Sequence, residues 1–425
     1  MAIAKETPAS KWIVLFSSLL LMTLCLGFNF TSMSMMLPVW QAEFGFSATQ
    51  YGLLAGAISM GGMVIVFIAG NIFDKFNLKA VLYSAVILNG LAVSLRMVIT
   101  SFETAYFMLF LSGLFANIVY AGLIKSLAAW FDRKALLKAN GILTSGGSIG
   151  FFLGFNVTSP WSEALGGWDK LFLWQGVVMV AFGLICFLIV PLREEKQGAM
   201  NLDLKVQTEG YTVGRRLKEL LTSKQVILIL ISEFLIAGSL LTFSSVGPAA
   251  FMGTWENIDA TKLGLILSFV NVGSVFGYWI LPPLAVKVGL RKIMSLPFVV
   301  FTCAVFAASL LTHNFMVAVV LNMLGGFSNG LGLMAGRILL LEHPDVAGVK
   351  AGTASGLLLT LNKLGCVFFP VFYTTVASSF GIYPAWIAMF VLGAVGIVPL
   401  LFTQDTGTKA VARRQAKQQA EDSPA

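Results

Sequence analysis

Charge is what this sequence has least of. Charged residues make up 11% of its 425 positions, whereas a water-soluble globular chain carries about 25%. With 57% hydrophobic residues and a mean hydropathy of +0.85, it has too little polar surface to coat a water-facing body, so most of it must face lipid. Histidine is nearly absent. His313 and His343 both stand at loop positions, which argues against a histidine-based metal site. The cysteines Cys25, Cys186, Cys303 and Cys366 all fall inside apolar runs, with neither metal spacing nor a disulfide framework, and read as small core residues. There is no G-x-x-x-x-G-K-[ST] loop, so ATP does not power the chain directly, and no cofactor is expected. No Ser, His and acid lie at a common depth, which disfavours an integral-membrane enzyme. The few, dissimilar interior charges disfavour the rings of a channel filter. The net charge of +8 does not mark nucleic acid as a partner, because the cations sit in short loops between apolar runs rather than on one face.

Twelve apolar segments are expected, near 12–37, 50–72, 79–99, 104–130, 139–159, 171–191, 225–252, 263–286, 293–311, 315–341, 351–379 and 382–402. Most hold about 20 residues or more, the length of a helix across a bilayer core. The first is too long for a signal-peptide core and has no clear cleavage site. The one long connection, Arg193 to Lys224, is polar and basic and divides the segments six and six. This predicts an N-terminal bundle over 1–192, a cytoplasmic loop over 193–224, a C-terminal bundle over 225–403 and a disordered tail over 404–425. Of the 28 Lys and Arg, only Lys170 and Lys262 fall in the loops of one side, and Arg96, Lys125, Arg337 and Lys363 lie within segments. All the others share the opposite side, which places both termini in the cytoplasm of a plasma or bacterial inner membrane.

The halves resemble each other. Asn117, Lys125 and Lys138 recur 212 residues later as Asn329, Arg337 and Lys350. A cation buried within a span costs roughly 2.5–3.5 kcal/mol on insertion scales. Carrying that cost at equivalent places in both halves suggests a two-fold molecule with something to bind on its axis. Parallel duplication with a long central loop is the plan of many secondary transporters, whose site lies near mid-membrane between the halves.

The loop GNIFDKFNLKAVL, with Gly70, Asp74, Lys75 and Lys79, resembles the G-x-x-x-D-R/K-x-G-x-R/K signature of the major facilitator superfamily. The stretch AAWFDRKALLKANGI resembles a second motif of that superfamily. The resemblance runs from residue 12 to 402. It implies an all-α membrane protein of twelve transmembrane helices in two pseudo-symmetric six-helix bundles, a monomer that transports a small-molecule solute by alternating access. Lys287 and Arg291 complete the gating motif in the second half. Two departures stand out: Asn77 replaces the signature's second glycine, and no proline follows Gly150, so the motif associated with many drug/proton antiporters is missing. Lys363 and parts of the fourth segment also resemble small-organic-anion porters of the oxalate type, although the arginine those porters carry in segment 8 would fall at Tyr278.

The interior charges carry the functional reading. Lys125 has two open readings, a gate partner for Asp74 or a substrate ligand. Arg337 has no matching carboxylate, because Val286 stands where Asp74 does, and is the stronger candidate for an anion, the alternative being a partner for Glu342 or a helix C-terminus. Asn117 and Asn329, two turns deeper, could donate to substrate or bridge helices. Lys363 is the deepest cation, and Glu233 is the only acid inside any apolar segment. Either Glu233 is a proton-coupling carboxylate with Lys363 as its partner or as a substrate ligand, or the two are a fixed structural pair. Arg96, near a segment end, is expected to snorkel to the interface. Phe28, Phe30, Tyr120, Phe155, Tyr278 and Trp279 are candidates to line a cavity, against a default of core or lipid contact. The excess of interior cations predicts an anionic solute, a small carboxylate, with symport of protons as an added possibility. The alternative is an exporter or facilitator of an amphipathic or zwitterionic solute, with the cations serving only the gate.

Overall fold

The computed structural model describes residues 8–191, 213–256, 258–289, 291–346, 350–412 and 416. Among these there is no strand. Helix α1 (Pro8–Met22) passes through a π-helical turn (Thr23–Phe28) into α2 (Asn29–Phe44). Then come α3 (Ala48–Lys75), α4 (Leu78–Ser94) with a 3-10 turn (Leu95–Val98), α5 (Phe102–Trp130), α6 (Arg133–Leu165) and α7 (Trp168–Ile189). A short helix, α8 (Val213–Thr222), precedes α9 (Lys224–Thr254), α10 (Ala260–Val288), α11 (Arg291–Leu311) and α12 (Phe315–Leu341). The chain closes with α13 (Ala351–Phe380), α14 (Ile382–Val395) and α15 (Ile397–Leu401).

Each expected apolar segment coincides with one of these helices or helix pairs. Nine helices among the described residues are long and apolar enough to cross a membrane, and α11 and α12 hold shorter apolar stretches, Leu296–Leu311 and Phe315–Gly330. Large apolar side chains such as Leu188, Phe187, Val391 and Met316 remain exposed along the outer helix faces, as lipid contact requires. Helix starts are written in the loops. Ser47 and Gln50 form a reciprocal capping box on α3, and Ser101 with Thr104 does the same on α5. Asp132, Asp259 and Asn314 accept backbone N–H bonds at the starts of α6, α10 and α12.

Asn77 explains its own place in the signature loop. It is the N-cap of α4, with Oδ1 accepting from the Ala80 N–H at 3.1 Å, and its φ of −57° needs no glycine. Replacing it with Ala should lower stability by about 1 kcal/mol and with Gly by only a few tenths, a ranking a thermal-shift measurement in detergent would check.

Neighbour relations repeat between the halves. Helix α3 packs on α5 as α10 packs on α12, and α4 on α7 as α11 on α14. Contact across the halves is made by α3 with α13, α6 with α10, and α2 with α9. Glycine allows the closest of these approaches. A Cβ on Gly56 would lie 2.9 Å from Val367 Cα, and one on Gly52 2.7 Å from Val371 Cα. The surroundings of Gly70 and the side chains of Asp74, Lys75, Arg291 and Arg337 lie outside the described residues, and so do most of 193–224 and of the tail after 412.

Candidate functional site

The first helical stretch bends where its ladder slips. In the π turn the Cys25 carbonyl accepts from Asn29 Nδ2 at 3.1 Å and Asn89 Nδ2 at 3.2 Å, so amide side chains brace the turn. The turn rests on the glycine face of α6, where a Cβ on Gly150 would overlap the Thr23 carbonyl oxygen, and Thr23 Oγ1 donates to Gly146 O at 3.0 Å.

Beside this bend lies a cavity of about 170 Å³, walled by both halves. The first half contributes Cys25, Leu26, Asn29 and Phe30 from the bend, Ser59 from α3, Asn117 from α5 and Phe151 from α6. The second contributes Leu241, Thr242 and Ser245 from α9, and Lys363 and Cys366 from α13. The wall is thus mostly apolar with a few convergent hydroxyls and amides and one ammonium, the usual make-up of a small-molecule site. Asn117 is fixed by donating Nδ2 to Gly113 O at 2.8 Å, and Gly62 leaves the space its amide fills.

The expected residues divide sharply. Lys363 and Asn117 line this cavity, and of the candidate aromatics Phe30 does. Lys125 does not; it is half-buried, with Nζ 5.6 Å from the centre of the Phe73 ring. Tyr120 and Tyr278 are half-buried away from the cavity. Asn329, the counterpart of Asn117, is buried outside it, with Oδ1 reaching no hydrogen-bond donor. Trp279 is exposed. In the gating motif Lys79 is half-buried, with Nζ 5.3 Å from the Phe187 ring centre, and Lys287 is exposed. Glu233 is buried on α9, where Asn362, next to Lys363, donates to Oε1 at 3.1 Å.

Arg96 is a correction. It does not snorkel: no part of it is exposed, and Nη2 donates to Asn29 Oδ1 at 2.7 Å and Ser112 Oγ at 2.8 Å. The 3-10 turn that carries Arg96 changes the helical phase, and Asn29, Asn89 and Ser112 hold polar atoms ready inside the bundle. Asn29, Ser59, Thr242 and Ser245 in the cavity wall went unremarked in the sequence. The rule that selected Asn117, a polar side chain deep in an apolar run, selects Asn29 equally well.

The helices thus pack as two similar halves around a shared cavity, the plan of many membrane carriers. The sequence profile of the Major Facilitator Superfamily matches residues 19–256, and the chain belongs to that superfamily. It is an integral membrane transporter of small molecules, not an enzyme. It is similar to an uncharacterized MFS-type transporter, YceJ, of Bacillus subtilis (24% identity over 67% of this chain and 70% of that protein). It is also similar to putative glycerol-3-phosphate transporter 1 of Arabidopsis thaliana (25% over 54% of this chain), of which the match spans only 43%. A bacterial homolog of the human lysosomal transporter Spinster, inward-facing and unoccupied, shares the fold with a TM-score of 0.70 at 15% identity, covering 99% of this chain and 100% of that one. A mutant of the nucleoside transporter NupG does so with a TM-score of 0.71 at 13% identity, covering 91% and 99%.

Proposed function

We propose that this transporter moves a small organic anion, a carboxylate or an organic phosphate, by alternating access. In this reading twelve crossings form two six-helix bundles, 1–192 and 225–403, joined by the loop 193–224. A monomer sits in a plasma or bacterial inner membrane with both termini cytoplasmic. The observation that carries the reading is the Lys363 ammonium in the wall of the cavity between the halves, among amides and hydroxyls. In a site of low dielectric such a cation favours solutes of opposite charge. The name borne by the plant relatives, putative glycerol-3-phosphate transporter, supports the same class. Arg337 is retained as a second cation for the solute or gate.

Uptake of labelled lactate, succinate and glycerol 3-phosphate into proteoliposomes, with glycerol and uridine as neutral comparisons, tests this directly. Saturable uptake of at least one anion and none of the neutral solutes is the expected result. Uptake confined to neutral solutes would favour the second reading, a carrier for amphipathic or zwitterionic solutes, which the apolar share of the wall (Leu26, Phe30, Phe151, Leu241) supports.

Glu233 supplies the proposed proton coupling. It is buried, and Asn362, the chain neighbour of the cavity-lining Lys363, donates to its Oε1. Glu233→Gln should abolish accumulation driven by an imposed pH gradient while exchange of solute at equal concentrations continues. Undiminished gradient-driven accumulation would end the coupling role.

A further inference from the structure

Among the described residues, Arg96 is the Lys or Arg with no exposed surface, and no carboxylate pairs with it. Its hydrogen-bond partners are the neutral Asn29 and Ser112, the Phe172 ring lies 5.3 Å from its guanidinium carbon, and its Nε and Nη1 reach no acceptor. Asn29 Nδ2 in turn serves Ser112 Oγ at 2.9 Å and the Cys25 carbonyl, and Ser112 Oγ serves Asn89 Oδ1 at 3.1 Å. The cluster thus satisfies its neutral members and leaves one full positive charge uncompensated. Burying a charge among neutral partners is costly, and helix bridging alone would be met by an uncharged amide.

That charge sits one side chain behind the lumen. Asn29 and Cys25 both line the cavity, and Arg96 holds the first through Oδ1. We propose that Arg96 is a positioning and specificity-determining residue of the transport site: it fixes the bent wall at Asn29 and lends the cavity a permanent positive field, opposite Lys363, that selects an anionic solute. This rests on the anion reading above and names a part of the same site that does not touch the solute.

The discriminating variant is Ser112→Asp, which sets a carboxylate against the guanidinium from α5, away from the residues lining the cavity, and leaves Asn29 in place. Folding, read by thermal transition and elution profile, should be held. The KM for the anion should rise about tenfold, the influence of one unit charge at roughly 10 Å in an effective dielectric near 20, with kcat little changed. Arg96→Gln should show the same rise in KM along with a lower thermal transition, and Arg96→Lys should recover anion selectivity. An unchanged anion KM in folded Ser112→Asp protein overturns the proposal, as does loss of stability and of all transport together in the Lys variant. If the wild-type protein takes up none of lactate, succinate or glycerol 3-phosphate, and none of them raises its thermal transition, the anion reading itself fails before any variant is considered.

Discussion

Lys363→Gln should raise the KM for the transported anion roughly ten- to a hundredfold, the worth of one hydrogen bond to a charged group at 1.5–3 kcal/mol. Among the described residues, Lys363 is the one cation lining the cavity, and a glutamine there keeps a donor while removing the charge. Folding should survive, because the position is half-buried and glutamine keeps most of the side chain's length. A Lys363→Gln protein with wild-type KM for every anion would leave the cavity without a recognition element and sink the carboxylate or phosphate reading.

How far the sequence foretold this arrangement depends on what each feature needs in order to be seen. Helix positions were legible because an apolar run needs no partner to declare itself, and caps such as Ser47 and Asn77 act within three residues. The matched charges were legible as a repeat, yet a repeat in sequence did not mean equal access to the cavity. Asn117 reaches it while Asn329 does not, and Lys125 lies against Phe73 instead. Depth along a helix can be counted from its end; the direction a side chain takes depends on local phase. Arg96 shows this best. Counting places it near a helix end, within reach of water, but a four-residue 3-10 turn at Leu95–Val98 directs it inward onto acceptors contributed by the first helical stretch and by α5. Nothing local in the sequence announces such a turn. The π turn at Thr23–Phe28 was equally invisible, because the amides that satisfy Cys25 come from Asn29 and, across the bundle, Asn89.

Gly113→Leu should prevent recovery of folded protein, and Gly273→Leu should do the same in the other half. A Cβ on Gly113 would overlap the Ile58 carbonyl, and the reciprocal glycine of that crossing, Gly61, lies under the Phe110 carbonyl. The second half repeats the device: Gly273 lies under the Met323 carbonyl and Gly326 under that of Val270. Gly61 and Ile58 stand 212 positions before Gly273 and Val270, the same offset that relates the charged residues. These obstacles are backbone atoms, which cannot swing aside as a side-chain tip can. The cost should therefore exceed the roughly 1–3 kcal/mol of ordinary overpacking, because α3 must part from α5, or α10 from α12. Glycines facing open space make the contrast. At Gly141 and Gly352 an added Cβ would meet nothing within 4 Å, so Ala there should stabilise by up to about 1 kcal/mol through its better helix propensity. Size-exclusion profiles and thermal transitions of the four variants would decide the matter. If Gly113→Leu and Gly273→Leu both elute as monodisperse protein with wild-type transitions, these crossings are looser than their geometry, and the two halves are not built on a shared glycine-tight helix pair.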